Sequence, residues 1–478
     1  MSQIIGRKEE LEELSQIYSR KRAQLVAVYG RRRVGKTFLI REFFKNNFAF
    51  YHTGLSPVEL EGKSLFETQL KAFANTLNQY GMRVKHRPKD WMEAFGLLRT
   101  LLLGRPTNER QVVFIDEMPW MDTPRSGFIT AFEAFWNGWA SGQDNLMFIV
   151  CGSASSWIKD NLINSPGGFY GRVDTEISLK PFTLRESEML LEANEVELSR
   201  YDLMEVYMTT GGIPYYLNQL KQGLSAAEQI DMLFFAQKPK LGGEFTRLFN
   251  STFVSPEVTE TVVRYLSTRH SGFSRDEISK HIKIEGAALT NLLRSMEAGD
   301  FIRKYQPFGT SKRELKYRLI DPFCWFWLKH VEDRTSEPHY WRDNCMSQAT
   351  RTWRGIAFEE LCMNHIPQIK SALGIAAVST IESAWIVPGN EGTRGAQIDL
   401  IITRADNMVH LMEMKCYSDL YSVDLEEEMK LRNRITLVNE QLKKRNSLQA
   451  NLITTFGLKK GKHSGIYTKA LTLDTLYT

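Results

Sequence analysis

Cysteine is scarce and dispersed: the chain of 478 residues holds five, at Cys151, Cys324, Cys345, Cys362 and Cys416, with no C-x-x-C pair. An odd number at such spacing argues against a disulfide framework or a zinc site and suits a reducing cytoplasm. Long apolar runs are missing as well. Nowhere do about 18 apolar residues run together, and the N-terminus carries Glu9 and Glu10 where a signal peptide would need an apolar segment. A cytoplasmic protein with no membrane span is therefore expected. Charge of one sign is not in excess either, since 61 Lys and Arg against 56 Asp and Glu leave only +5. That is too little by itself to name nucleic acid as a partner. What is present, 42% hydrophobic and 24% charged residues, is a globular composition. The length predicts about three domains.

The strongest local pattern is Gly30-Arg31-Arg32-Arg33-Val34-Gly35-Lys36-Thr37, preceded by the apolar run Leu25 to Tyr29 and followed by the helical pattern Phe38 to Phe44. This is a phosphate-binding loop between a strand and a helix. Gly30 and Gly35 allow the tight turn that aims backbone N–H groups at phosphates, Lys36 reaches the β- and γ-phosphates, and Thr37 ligates Mg²⁺. About 80 residues later, Val112-Val113-Phe114-Ile115-Asp116-Glu117 reads as a strand buried on both faces that ends in two carboxylates. Asp116 is expected to hold Mg²⁺ through water and Glu117 to polarise the attacking water. A third apolar run, Leu146 to Cys151, ends at Gly152-Ser153, where Ser153 is either a phosphate sensor or a plain turn former. Gly6-Arg7 opens an amphipathic helix with Leu11, Leu14 and Ile17 on one stripe, which by itself reads as a docking helix. Arg172 follows Tyr170-Gly171 and suits either a surface salt bridge or a charge-stabilising arginine. Pro214, after Gly211-Gly212-Ile213, is acceptable in the first turn of a helix.

Taken in order, the P-loop, the Asp-Glu strand, the polar strand tip, Gly171-Arg172, Pro181-Phe182 and Gly212-x-Pro214 resemble the archaeal-type ATPase branch of the STAND and AAA+ superfamily, over residues 1 to about 250. The resemblance implies ATP and Mg²⁺ as cofactors and a five-stranded parallel sheet (1–183) with a helical lid (184–250). It also implies that Gly6 and Arg7 lie over the adenine, that Ser153 contacts the γ-phosphate, that Arg172 serves an active site in cis or in trans, and that Gly212 and Pro214 close over the nucleotide.

Residues 251–331 change character. Ser274-Arg275-Asp276-Glu277 is a capping box, Glu285 to Glu297 forms a second helix, and Phe301 to Ile320 alternates like a hairpin around Pro307-Phe308-Gly309. Helix, helix and ribbon is the winged-helix order. Residues 254–320 hold twelve Lys or Arg against eight Asp or Glu, with Arg303, Lys304, Lys312, Arg313, Lys316 and Arg318 on the ribbon. A basic wing suits contact with a DNA backbone, while the alternative is a protein spacer. The aromatic stretch Pro322 to Trp327 reads as core, and 332–348 reads as a linker.

The last segment, 349–478, predicts a helix from Gly355 through Glu359 and Glu360, then two strands separated by Arg404-Ala405-Asp406-Asn407. A hairpin centred on Asp406 pairs Asp399 with Glu413, and Lys415 then shares the face of Glu413. Two carboxylates about 5 Å apart ask for a cation between them. Asp399, thirteen intervening residues and Glu413-x-Lys415 resemble the PD-(D/E)xK restriction-endonuclease-like fold, with Gln397-Ile398 where that pattern has proline. The resemblance implies that Asp399 and Glu413 bind Mg²⁺, that Lys415 assists the attacking hydroxide, and that Glu359, or its neighbour Glu360, assists the metal. An α/β multidomain ATPase coupled to a metal-dependent DNA nuclease is therefore expected. The alternatives are a nucleotide-switched DNA-binding protein with a non-catalytic C-terminal domain, or a signalling ATPase with a protein or self-assembly partner.

Overall fold

The computed structural model describes residues 4–57, 64–106, 108–310, 314–334, 337–387, 396–442 and 446–478. The chain divides into two compact units. The first comprises Met1–Pro181, Thr246–Thr259 and Thr290–Asp300, and the second Phe182–Phe245, Glu260–Leu289 and Phe301–Thr478.

Five strands form the sheet of the first unit: β1 Gln24–Tyr29, β2 Phe50–Thr53, β3 Gln111–Asp116, β4 Leu146–Gly152 and β5 Thr175–Ser178. All neighbours are parallel, in the order β2-β3-β4-β1-β5. Every residue of β1, β3 and β4 is buried, which is why these runs read as continuously apolar: a parallel sheet is covered on both faces. One face carries an aromatic core of Phe50, Phe73, Trp91, Phe95, Phe128, Phe132 and Phe148. The helices that supply it start cleanly. Ser64 and Asp90 cap Leu65–Gln79 and Trp91–Leu103, each accepting the backbone N–H of the third helical residue, a contact of about 1 kcal/mol. The rigid result places the ends of β1, β3 and β4 side by side.

In the second unit, capping boxes at Thr183/Glu186 and Ser225/Glu228 open the helices Leu184–Ala193 and Ala226–Phe234. The Ser274/Glu277 box expected from sequence opens Arg275–Ile282. A small antiparallel sheet follows, in the order β6-β8-β7, with β6 Phe273–Ser274, β7 Ile302–Tyr305 and β8 Lys316–Leu319. Two cations of the expected basic wing are engaged within the unit. Arg303 lies directly opposite Arg318 in the β7–β8 ladder, and like charges so placed repel unless an acceptor meets them. They meet acceptors inside the unit: Arg318, buried, pairs with Glu360 at 2.8 Å, and Arg303 donates to Asn364 Oδ1 at 2.9 Å. Lys304 alone of the ribbon cations is exposed among the described residues, and Lys312 and Arg313 lie outside them.

Pro322 to Trp327 is core as expected, with Phe323, Cys324, Phe326 and Trp327 buried. The stretch 332–348, expected to link domains, includes the helix Tyr340–Asn344 with Trp341 fully buried. Asp231 anchors it by accepting the Trp341 N–H at 2.8 Å. The following helix, Gln348–Asn364, begins seven residues before the expected Gly355 because Ser347 caps it. The C-terminal sheet is mixed: β9 Thr380–Val387, β10 Ala396–Arg404 and β11 Met408–Lys415 run antiparallel, and β12 Ser447–Thr454 and β13 Lys469–Thr472 run parallel to β11, in the order β13-β12-β11-β10-β9. The β10–β11 register, Leu400↔Met412 to Thr403↔Val409, is the one centred on Asp406. The ladder ends at Leu400, one residue short of Asp399, and β10 is irregular between Ile398 and Ile401 where it pairs with β9.

Candidate nucleotide site and a buried charge cluster

The P-loop backbone takes positive φ at Gly30 (148°), Arg33 (69°) and Gly35 (95°). Gly30 has a second reason to be glycine: a Cβ there would stand 2.1 Å from the Leu179 carbonyl oxygen. Lys36 begins the helix Lys36–Phe43 and donates to the Gly30 and Arg31 carbonyls at 2.9 and 3.0 Å. The ammonium is thus folded against the loop that it would leave to reach a phosphate. Arg31 and Val34 are buried, and Arg32 and Arg33 are half-buried.

Across the loop, Thr37 Oγ1 donates to Asp116 Oδ2 at 2.7 Å, and Asp116 Oδ1 accepts the Glu117 N–H at 3.0 Å. A hydroxyl and a carboxylate in contact at the end of β3 are hard oxygen donors, and this pair fits Mg²⁺. Glu117 sits in the left-handed region at φ 44°, which turns its side chain across to the end of β4. There its carboxylate accepts the Ser153 N–H at 3.0 Å and the Ser153 hydroxyl at 2.9 and 3.1 Å. Burial, followed by the charge of Asp116, raises the Glu117 carboxyl above its ordinary range, against the pull of Lys36 and Ser153. Ser153, expected as a sensor or a turn former, thus holds Glu117 in this structure. Gly6 and Arg7 take φ 63° and 57°. Arg7, buried, donates to the Val34 carbonyl at 3.1 Å and pairs with Glu10 at 3.5 Å, so the N-terminal box is docked on the P-loop.

Arg172 is exposed, in a turn where its N–H donates to the Phe169 carbonyl at 2.9 Å. Gly212 and Pro214 belong to the second unit. A Cβ on Gly212 would stand 2.3 Å from the Phe182 oxygen, and Pro214 occupies the first turn of Pro214–Leu217.

A second concentration of charge lies within the C-terminal part of the second unit. Glu413, buried, accepts Arg434 at 2.7 Å and Lys415 at 3.4 Å through Oε2, while its Oε1 is buried without a hydrogen-bond partner. Asp399 Oδ2 accepts the Met414 N–H at 3.1 Å. Glu359, on the helix Gln348–Asn364, is pushed up to about 9 by burial and then by the charges of Asp399 and Glu360. Glu360 pairs with Arg318 at 2.8 Å and with His270 at 3.2 Å, and the other ring nitrogen of His270 lies 3.6 Å from Glu359. Burial works to raise the Glu360 carboxyl, yet Arg318 and His270 hold it down at about 2. The structure therefore brings Glu359, Asp399, Glu413 and Lys415 into one electrostatic cluster and leaves Glu360 in a salt bridge. The cations beside Asp399 and Glu413 are the chain's own Lys415 and Arg434, and among the described residues no group of three or more His, Cys, Asp or Glu is arranged to hold a metal ion. The orphaned Glu413 Oε1 is the one feature of the cluster that fits a divalent cation. Sequence reading missed Arg434, which stands 21 residues after Glu413 on the helix Leu425–Gln441 among many other charges. No local signal sets it apart.

The parallel sheet, the P-loop and the Thr37–Asp116 pair define a P-loop ATPase. Residues 4–220 match the ATPase domain found predominantly in Archaea, and this part of the chain is an ATPase domain of that type. An uncharacterized protein of Methanocaldococcus jannaschii is 21% identical over 429 residues, spanning 89% of this chain and 90% of that protein. An uncharacterized ATP-binding protein of the same organism is 52% identical over 43 residues, 9% of this chain and 73% of that protein. Among solved structures, the Walker-type ATPase of Pyrococcus abyssi is 20% identical, with a TM-score of 0.45 over 68% of this chain and 96% of that one. The Aeropyrum pernix ORC2 protein is 14% identical, with a TM-score of 0.39 over 75% of this chain and 96% of that one. No helix among the described residues is long and apolar enough to cross a membrane.

Proposed function

We propose that this protein binds and hydrolyses Mg²⁺-ATP at the P-loop and couples the nucleotide state to DNA binding and metal-dependent DNA cleavage. The observation that carries the first half is the Thr37–Asp116 contact of 2.7 Å beside the Glu117–Ser153 pair. Mg²⁺, when bound, supplies positive charge at the β- and γ-phosphates, and Thr37 and Asp116 would hold it. Lys36 exchanges the Gly30 and Arg31 carbonyls for phosphate oxygens. Glu117 orients the attacking water, and Ser153 fixes where that carboxylate points. Gly6 and Arg7 are assigned to the adenine side, Arg172 to transition-state charge, and Gly212 with Pro214 to the lid.

The cleavage half is supported by the cluster of Glu359, Asp399, Glu413 and Lys415, four residues from three elements. In this reading Asp399 and Glu413 hold the divalent cation, whose chemistry is to lower the pKa of water. Lys415 stabilises the hydroxide and Glu359 assists the ligands. The helix–helix–ribbon element 251–331 is assigned as a winged helix, with Lys280, Lys283 and Lys304, all exposed, as its backbone contacts.

A second reading has an observation of its own. Arg434 and Lys415 already compensate Glu413, which suits a non-catalytic C-terminal domain on an ATP-switched scaffold. Cleavage of plasmid and single-stranded DNA with Mg²⁺ or Mn²⁺, with and without ATP, separates the two. Cutting by wild type that is lost in Asp399→Asn supports the nuclease. No cutting under any of these conditions leaves the switch.

A further inference from the structure

The basic ribbon of the winged-helix segment is partly turned inward, but exposed cations reappear at the C-terminal end of β12. After Thr455 the chain reads Phe456-Gly457-Leu458-Lys459-Lys460-Gly461-Lys462. Lys459, Lys460 and Lys462 are exposed, and none forms an ion pair among the described residues. This loop is fixed to the segment that leaves β11 just past Lys415. The Tyr421 N–H donates to the Gly457 carbonyl at 2.8 Å, the Lys459 N–H donates to the Tyr421 carbonyl at 2.8 Å, and the Tyr417 N–H donates to Thr455 Oγ1 at 3.0 Å. Two backbones clamped in this way present one continuous rim.

The same rim exposes large apolar side chains: Tyr417 is 50% accessible, Leu420 49% and Phe456 44%. Phe456 is backed by Tyr201, its ring stacked at 5.2 Å and 25°, and Tyr417 by Tyr421, edge-on at 5.0 Å. Rings held from behind with a free face are stacking platforms. The acidic residues nearby are engaged locally: Asp419 and Asp424, both exposed, accept the Leu420 and Glu427 N–H groups, Glu426 and Glu427 share Lys430, and Glu428 pairs with Arg432 and His463, whereas the three lysines pair with none of them. A positive track with exposed rings along it is how proteins hold single strands, with phosphates on the cations and bases on the rings. A protein partner would use the rings but has no need of three unpaired lysines, and duplex DNA would use the lysines but has its bases already stacked.

We propose that the rim formed by Tyr417, Leu420, Phe456 and Lys459 to Lys462 binds single-stranded DNA, delivering the strand to the end of β11 where Lys415 lies. The proposal rests on the nuclease reading for what happens after delivery, but not for the binding itself. The test is therefore made with full-length protein in EDTA, by fluorescence anisotropy with labelled oligothymidylate and with a duplex, between about 50 and 200 mM salt. Wild type should prefer the single strand. The variant carrying Lys459→Ala, Lys460→Ala and Lys462→Ala should show a log–log salt slope shallower by about 2, since each single-strand phosphate contact contributes about 0.7. Phe456→Leu and Tyr417→Leu keep apolar bulk and remove the ring face, and each should weaken binding by about ten-fold or more at an unchanged salt slope. An unchanged slope in the lysine variant, or duplex bound as tightly as single strand, overturns the proposal. A thermal melt equal to wild type shows that a loss is not unfolding. A protein that binds oligothymidylate through this rim yet cuts nothing keeps this inference and loses the nuclease reading. One that cuts, with binding indifferent to the lysines, does the opposite.

Discussion

Ser153 holds both carboxylate oxygens of Glu117, through its N–H at 3.0 Å and its hydroxyl at 2.9 and 3.1 Å. These bonds favour the charged carboxylate, whereas burial favours the neutral acid. Ser153→Ala removes the hydroxyl donor, so the Glu117 pKa should rise further and the carboxylate proposed to act on the water should be lost at a higher pH. The expected result is a lower kcat for ATP with its acid limb moved to higher pH. A kcat profile that superimposes on wild type would deny Ser153 this role.

Arg434 competes for the carboxylate that a metal would need. Glu413 Oε2 is 2.7 Å from the guanidinium, so Arg434→Gln should free that oxygen and tighten Mn²⁺ binding, measured by calorimetry. Asp399→Asn should abolish the same signal. If neither wild type nor Arg434→Gln takes up Mn²⁺, the cleavage half of the proposal fails.

Glu205 and Arg354 form a buried ion pair at 2.6 Å between the helices Arg200–Thr210 and Gln348–Asn364. Arg354→Met leaves a buried carboxylate without its cation and should cost about 3–5 kcal/mol in urea unfolding. The double replacement Glu205→Leu with Arg354→Met should be less destabilising than Arg354→Met alone. Additive losses would show that the pair carries no mutual compensation.

What was legible in the sequence was whatever one strand and its neighbours specify. The P-loop needs only consecutive residues. The β10–β11 register followed from a symmetric turn, because the strand period of two leaves no freedom once the centre is known. What stayed hidden depends on distant elements. Arg303 and Arg318 read as part of a basic wing because nothing on the ribbon announces Glu360 and Asn364 on another helix. Glu359 and Glu360 could not be separated by motif, yet consecutive helical residues point about 100° apart, and only packing decides which meets Asp399. Trp341 looked like linker because its neighbours are polar, whereas its ring packs on Phe326, His330 and Trp353 and its backbone N–H is held by Asp231, 110 residues earlier.

The central claim is hydrolysis at the P-loop with Glu117 as the water-orienting base. It is tested most directly by phosphate release and nucleotide retention in Glu117→Gln, with Lys36→Ala as the companion. Glu117→Gln should keep bound ATP and lose turnover by about 10²- to 10⁴-fold, the usual contribution of a general base, while Lys36→Ala should lose both. Turnover by Glu117→Gln equal to wild type would contradict the account.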